Sequence, residues 1–303
     1  MRVVIAGGSG FIGRKLIDRL LQMHYEVTLL SRRPESAKIN SPAMRIEFWD
    51  AKTSVGLTSV LEGADAVINL TGESIAAKRW TQLQKGRILS SRIESTRAII
   101  DAIRKTKRKP MVLLNASAVG YYGNVPEGEV TEDSARGAGF LADVCDQWEV
   151  EALKAEEFGV RVVLLRTGIV LDKNAGALQK LLLPFRLFIG GPLGSGRQWF
   201  PWIHLRDEVN AILFAMENEH LTGPLNLSAP ESVRMLEFCK VLGNILHRPS
   251  WMPIPAYTLK LALGEMAEPL LLHGQQVIPK KLIDTGFKFQ FPKLEDALKD
   301  LLA

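Results

Sequence analysis

From Val3 to Gly168 the chain alternates between short, unbroken apolar runs and longer stretches where apolar residues return every third or fourth position. The runs VVIAG (3–7), VTLLS (27–31), AVINLT (66–71), VLLNAS (112–117) and VVLLRTG (162–168) lack the polar alternation of a half-exposed strand. They predict strands covered on both faces. The stretches over 11–23, 80–104 and 140–158 predict helices, with a short turn or helix at 56–63, and WDA (49–51) ends a further strand. Strand and helix in succession predict an α/β fold, a Rossmann-type doubly wound parallel sheet.

Beyond Gly168 the pattern breaks. LLLPFRLFIGGPLGSGRQWFPWIHL (181–205) is rich in Gly, Pro and aromatics and reads as loops over a site. DEVNAILFAMEN (207–218) resumes a helix, PLNLSAP (224–230) reads as a short strand and turn, and 234–247 and 256–263 read as helical. LEDALKDLL (294–302) predicts a last amphipathic helix. The division that follows is a nucleotide-binding domain over 1–170, with core strands returning near 200–230, and a smaller substrate lobe over 171–303.

Composition narrows the function classes. With 47% apolar and 23% charged residues in 303, the chain suits a globular protein with a full core. No apolar run approaches the ~18 residues that suggest a membrane span. A secretion signal is not expected, because Gly7, Gly8 and Gly10 break the first apolar run and Arg14, Lys15, Asp18 and Arg19 follow. Cys145 and Cys239 alone make neither a disulfide framework nor a zinc site, so no metal is expected, and a reducing, cytoplasmic setting is the simple reading. The net charge of +5 comes from scattered residues, and no nucleic-acid motif accompanies it.

The chemistry begins at the first strand–helix junction. Gly7, Gly10 and Gly13 have the spacing G-x-x-G-x-x-G between a strand and a helix, with Phe11 and Ile12 inside the motif. In this context one glycine makes the tight turn, one lets the backbone approach a pyrophosphate, and one packs the helix on the strand. The helix N-terminus then offers free N–H groups to the phosphates. After the second strand an NAD site would place an acid on the ribose hydroxyls, whereas this chain has Ser31, Arg32 and Arg33. A hydroxyl and a guanidinium suit a 2′-phosphate, so NADP is the expected cofactor.

Topology extends the site along the carboxyl ends of the strands. Leu70, Thr71 and Gly72 are expected near the adenosine and its ribose, and Gly168 to Val170 near the nicotinamide. Asp50 has two readings, a contact to the adenine amino group or a turn aspartate. On the helix from about Trp80, the residues Gln84, Arg87, Ile88 and Ser91 share a face, and Arg87 and Arg92 read either as cofactor contacts or as a solvated basic surface. His204 reads as a structural histidine.

Taken together, GGSGFIG, VINLTGESI, KRW, SR-x-x-ST, GYYG, WE, LRTGIVL, LLPFRLFIGGPLGSGRQ and PWIHLRD resemble the atypical, epimerase-like branch of the extended short-chain dehydrogenase/reductases. The resemblance covers nearly the whole chain, including a C-terminal segment (249–298) that in this family is a domain of unknown function. It implies a Rossmann domain with a small substrate lobe, NADP as cofactor, contact from Arg87 and Arg92, and Arg197 and Gln198 beside an anionic substrate group. Some members of the family are labelled cell-division inhibitors. A homodimer stays open.

The departure from the parent superfamily is specific. Its usual Ser is retained as Ser117, but the positions for Tyr and Lys fall at Leu141 and Cys145, and no other Tyr-x-x-x-Lys occurs. Tyr121 and Tyr122, close after Ser117 in a glycine-flanked loop, are the candidate replacements for the proton donor or else aromatic walls of the pocket. Two functions follow. One is an NADP(H)-dependent oxidoreductase or isomerase of a small, anionic molecule. The other is a non-catalytic NADP-binding sensor or interaction protein, linked to cell division. A conventional NAD-dependent sugar epimerase is disfavoured by Arg32 and by the missing pair.

Overall fold

The computed structural model describes residues 1–36 and 41–303. The predicted strands form as β1 (Arg2–Ala6), β2 (Glu26–Ser31), β3 (Met44–Phe48), β4 (Ala66–Asn69) and β5 (Val112–Ala118). With Arg161–Thr167 and Gly223–Leu227 they build one seven-stranded sheet. Its order is Gly223–Leu227, Arg161–Thr167, β5, β4, β1, β2, β3, and every pairing is parallel. The order reverses between β1 and β4, which leaves a crevice above their carboxyl ends.

The inner strands β1 and β4 are almost wholly apolar because each face has its own cover, whereas the edge strand β3 is half-exposed and carries Arg45 and Glu47. Val3 and Ile5 of β1 pack with Leu16 and Ile17 on one side, while Val4 and Ala6 pack with Ile99 and Ile103 on the other. The helices are α1 (Phe11–Gln22), α2 (Leu57–Leu61), α3 (Gln82–Lys105) and α4 (Phe140–Leu153), the last followed by a single turn at Lys154–Phe158. Strand Gly223–Leu227 brings the chain back to the sheet after residue 170.

Two helices escape the sequence pattern, the short Lys280–Asp284 and a longer one. Residues Gly176–Arg186 form α5, although Pro184 lies inside it and reads as a breaker. Leu178, Leu182 and Phe185 bury themselves at helical spacing, and that burial outweighs the bond lost at proline. The next helix, α6 (Leu205–Glu217), begins at His204, whose Nδ1 accepts from the Arg206 amide at 3.0 Å. His204 is thus a helix cap.

A third core is drawn from residues between Leu171 and Leu301 and includes Trp202, Phe238 and Leu298. The C-terminal segment does not stay within it. Strand Gln275–Val277 pairs with Val125–Val130, Arg79 donates to the Ala262 carbonyl, and Gln275 Nε2 donates to the Val119 carbonyl at 2.6 Å. A Cβ on Gly274 would lie 2.0 Å from the Trp199 carbonyl, so only glycine fits that approach. The chain's last quarter is stitched across the carboxyl ends of the sheet.

Candidate functional site

A cleft of about 830 Å³ runs along the carboxyl ends of the strands. It is walled by Phe11 and Ile12, by Leu70–Ile75, by Ser117–Gly120, by Leu141 and Cys145, by Thr167–Val170 and by Gln198. A second hollow, about 750 Å³, lies by the amino ends of the strands near Arg2, Glu26 and Arg45, away from the glycine loop. The first has the chemistry.

The three glycines of the motif meet three different surroundings. Gly7 has φ +81°, and a Cβ there would sit 2.6 Å from the Leu70 carbonyl carbon. It is the turn, pressed against the end of β4. A Cβ on Gly13 would stand 2.5 Å from Gly8 Cα, so Gly13 packs the helix on the loop. At Gly10 a Cβ would meet only the Gly7 carbonyl, at 3.2 Å, so its face is open. Gly10 also caps α1 without any side-chain acceptor, leaving the first amides of the helix for an anion. Gly8, not singled out by the motif, is held small by Leu29 and Ile17.

Ser31 ends β2, exposed Arg32 follows it, and Ser31 Oγ accepts from the Arg33 amide at 3.1 Å. Asp50 is fully employed in its own turn. Its carboxylate accepts from the amides of Lys52 and Thr53, at 2.8 and 2.9 Å, and from the Thr53 hydroxyl. Burial pushes this acid up, but those hydrogen bonds win and hold it below its ordinary value. Thr71 Oγ1 is tied to Asn69 and Ser95, which fixes the Leu70–Gly72 turn at the cleft wall.

The two arginines of α3 part company. Arg92 lines the cleft, stacks over Trp148 and donates to the carbonyls of Glu73 and Ile88. Burial lowers its pKa. Arg87 is exposed and lies off the cleft wall, because Gln84 and Ile88 point inward and position 87 is ~100° around the helix from 88. Of the two arginines expected at the cofactor, Arg92 alone therefore stands on the cleft wall. Arg197 is likewise exposed and outside the wall, its carbonyl accepting from Arg234. Gln198 does line the cleft. Its Nε2 donates to the carbonyls of Leu193 and Leu271, and its Oε1 is buried with no partner.

Of the residues expected in a proton relay, Ser117 lines the cleft while Tyr121 and Tyr122 stand behind its wall. Tyr122 is 1% exposed, and its hydroxyl donates to Asn226 Oδ1 at 2.6 Å while accepting from Arg166 Nη1 at 3.0 Å. Burial pushes its pKa up to about 12. Tyr121 lies edge-on against it, under the Arg166 guanidinium at 3.6 Å. Neither ring reaches the cleft wall, because the turn Val119–Tyr122 presents Gly120 there and turns both phenols behind it.

Behind the wall lies a buried network that motif reading missed. Glu149 accepts from Arg166 Nε and Nη2 at 2.9 and 2.8 Å and from Ser117 Oγ at 2.6 Å. Burial opposes the charge on Arg166, yet pairing with Glu149 holds its pKa above the ordinary value. Ser117 therefore lines the cleft with its hydroxyl turned to Glu149. Leu141 and Cys145, the positions where the sequence reading looks for a Tyr and a Lys, also line the cleft, and burial pushes the Cys145 thiol up to about 11. The remaining charged lining is Glu73, Glu208, Glu265, Glu268 and half-buried His273, none of which the sequence pattern flags. Among the described residues no metal-binding cluster of His, Cys, Asp or Glu occurs, and no helix is long and apolar enough to cross a membrane.

Comparison with known proteins agrees with this architecture. The model of the NAD dependent epimerase/dehydratase family matches residues 3–227, and that of a domain of unknown function (DUF1731) matches residues 254–301. The "epimerase family protein SDR39U1 homolog, chloroplastic" of Arabidopsis thaliana is 41% identical over 304 residues, covering 100% of this chain and 87% of that protein. The "epimerase family protein YfhF" of Bacillus subtilis is 40% identical over 304 residues, covering 100% and 98%. The crystal structure of the human epimerase family protein SDR39U1 (isoform 2) with NADPH superposes with a TM-score of 0.87 at 35% identity, over 99% of each chain.

Proposed function

The chain belongs to the NAD dependent epimerase/dehydratase family, and from that premise we propose that it binds NADP(H) in the cleft with a small molecule beside the nicotinamide. The observation that carries the reading is the uncapped start of α1, uncrowded at Gly10 and closed by backbone at Gly7 and Gly13, with Phe11 and Ile12 of the same turn on the cleft wall. The similar human protein solved with NADPH supports the choice of nucleotide. So do Ser31 and exposed Arg32 where an NAD site would carry an acid.

The residues present fit the cofactor along its length. Gly7, Gly10, Phe11, Ile12 and Gly13 would take the pyrophosphate, Ser31 and Arg32 the 2′-phosphate, and Leu70, Thr71 and Gly72 the adenosine side, with Arg92 in reach. Asp50 would shape the adenine end through its turn. Gly168 and Val170 would border the nicotinamide. When bound, the cofactor supplies hydride transfer. Ser117 and Gln198 would orient the small molecule, the amide oxygen of Gln198 as an unused acceptor. An anionic substrate loses its support with Arg197 outside the wall, since the lining carboxylates outnumber Arg92.

On this reading the protein is an oxidoreductase or isomerase of a small molecule. A second reading, binding without turnover, is favoured by one observation: Leu141 and Cys145 flank Ser117 where an acid–base pair would stand. Calorimetric titration with NADPH and NADH tests the binding. A substrate screen by nicotinamide absorbance then separates the two readings.

A further inference from the structure

Glu208 is a buried acid at the cleft with half of its hydrogen bonding unused. It sits in the first turn of α6, is 1% exposed, and borders the cleft with Thr167, Gly168 and Pro201. Its Oε1 accepts from Thr167 Oγ1 at 2.9 Å, while its Oε2 is buried without a partner. A buried carboxylate in that condition is costly unless it is neutral or gains a donor.

The charges on the elements packed against it are turned elsewhere. On its own helix, Asp207 accepts from the amides of Gln290 and Phe291, and Arg206 reaches Asp300. His204 caps the helix, and Asp172 accepts from the Asn174 amide. Arg166 is spent on Glu149, and Arg161 on the carbonyls of Ala215, Met216 and Leu221. On α1, Arg14, Lys15, Asp18 and Arg19 are exposed, and β5 carries no ionisable residue. Burial pushes the carboxyl up to about 8 against the pull of the Thr167 bond, so at neutral pH it keeps its proton.

We propose that Glu208 is a binding residue for the nicotinamide end of NADP(H) and sets the protein's preference between its oxidised and reduced forms. The proposal rests on the cofactor reading above. With the pyrophosphate at α1 and the adenosine over β2, the nicotinamide falls on the other half of the crevice, over β5 and Arg161–Thr167. Thr167 ends that strand and holds Glu208 there. Protonated, Glu208 offers an O–H donor to the carboxamide oxygen, which both forms carry. Ionised, it offers a negative charge, and only the oxidised ring is positive. Bound NADP⁺ therefore favours the ionised acid and NADPH the neutral one. By linkage, affinity for NADP⁺ relative to NADPH rises with pH around the ionisation of Glu208.

The test is calorimetric titration of NADP⁺ and NADPH from pH 6.5 to 9.5 on the wild-type chain and on Glu208→Gln, which keeps a donor and cannot ionise. The 2′-phosphate titrates in both nucleotides and cancels in their ratio. The wild-type ratio of affinities should move toward NADP⁺ by about tenfold, as for a change of one unit in the acid's pKa, and the Gln variant should stay flat. Equal pH dependence in the two proteins overturns the proposal, and so does a flat wild-type ratio. Should the Gln variant not fold, Thr167→Val removes the bond that keeps the acid down and should carry the wild-type transition to higher pH. A transition that does not move overturns the proposal. Failure of the wild-type chain to bind either nucleotide is a separate result, which sinks the cofactor reading beneath it.

Discussion

Arg166 grips Glu149 along one edge of its guanidinium, Nε and Nη2, at 2.9 and 2.8 Å, in the interior behind the cleft wall. The same carboxylate accepts from Ser117, and the same guanidinium donates to Tyr122. The cleft-lining Ser117 and the phenol of Tyr122 behind it are thus parts of one electrostatic unit.

Breaking that unit from one side should cost far more than removing it. Glu149→Leu leaves a buried, unpaired guanidinium and should destabilise the fold by about 3–5 kcal/mol. Adding Arg166→Met should restore a good part of the loss, since an apolar pair needs no partner. Urea denaturation of the two single variants and the double variant measures it. A double variant less stable than either single one would mean that the pair is net stabilising.

Tyr122→Phe removes a hydroxyl bonded on both sides and should cost about 1–3 kcal/mol in stability while leaving NADPH affinity unchanged. The folded pKa lies above the unfolded one, so the contribution of this group is whole below pH 10 and fades as pH rises toward 12. Denaturation and calorimetry on one preparation separate the two effects. A fall in affinity without a fall in stability would put the phenol back in the site.

The glycine loop offers a contrast within one motif. Gly10→Ala meets only the Gly7 carbonyl and should fold normally but lose NADPH. Gly13→Ala drives a methyl into Gly8 Cα and should cost about 1–3 kcal/mol in stability. Thermal melts with and without NADPH read both at once.

Arg32→Ala should weaken NADPH by about ten- to a hundredfold and NADH little, because a charge-assisted hydrogen bond to the 2′-phosphate is worth roughly 1.5–3 kcal/mol. Parallel titrations decide it. Equal losses for both nucleotides would remove Arg32 from the phosphate site.

Acid should loosen the protein at His204. Burial lowers its pKa to about 4, against the partial support of Asp300. A depressed folded pKa gives stability that is whole above about pH 6.5 and is lost as pH falls toward 4. The loss should reach about 2–3 kcal/mol. His204→Asn keeps a capping acceptor for the Arg206 amide and should flatten the decline, as urea midpoints at pH 7 and pH 5 would show.

The sheet is legible in the sequence because a strand covered on both faces has no polar positions to disguise it, and Val3–Ala6 shows this plainly. The glycine roles are legible because spacing and context restrict them. Other features depend on direction, which spacing carries weakly. One step along α3 separates buried Ile88 from exposed Arg87, and one tight turn hides Tyr121 and Tyr122 behind Gly120. Glu149 and Arg166 stand on a helix and a strand whose meeting is a tertiary event, so neither residue advertises the other. In α5, Pro184 speaks against a helix that packing nevertheless imposes.

The stitching of Gln275–Val277 to Val125–Val130, and of Gln275 to Val119, also has a consequence in time. A ribosome makes the glycine loop roughly tens of seconds before the segment Gln275–Val277, at about 5–20 residues per second. Until then the nascent chain has the phosphate cradle but no enclosure, and its seventh strand arrives late as well. A chain stalled short of Gly274 would therefore hold the glycine loop without the part of the cleft wall that Gly274 and Gln275 supply.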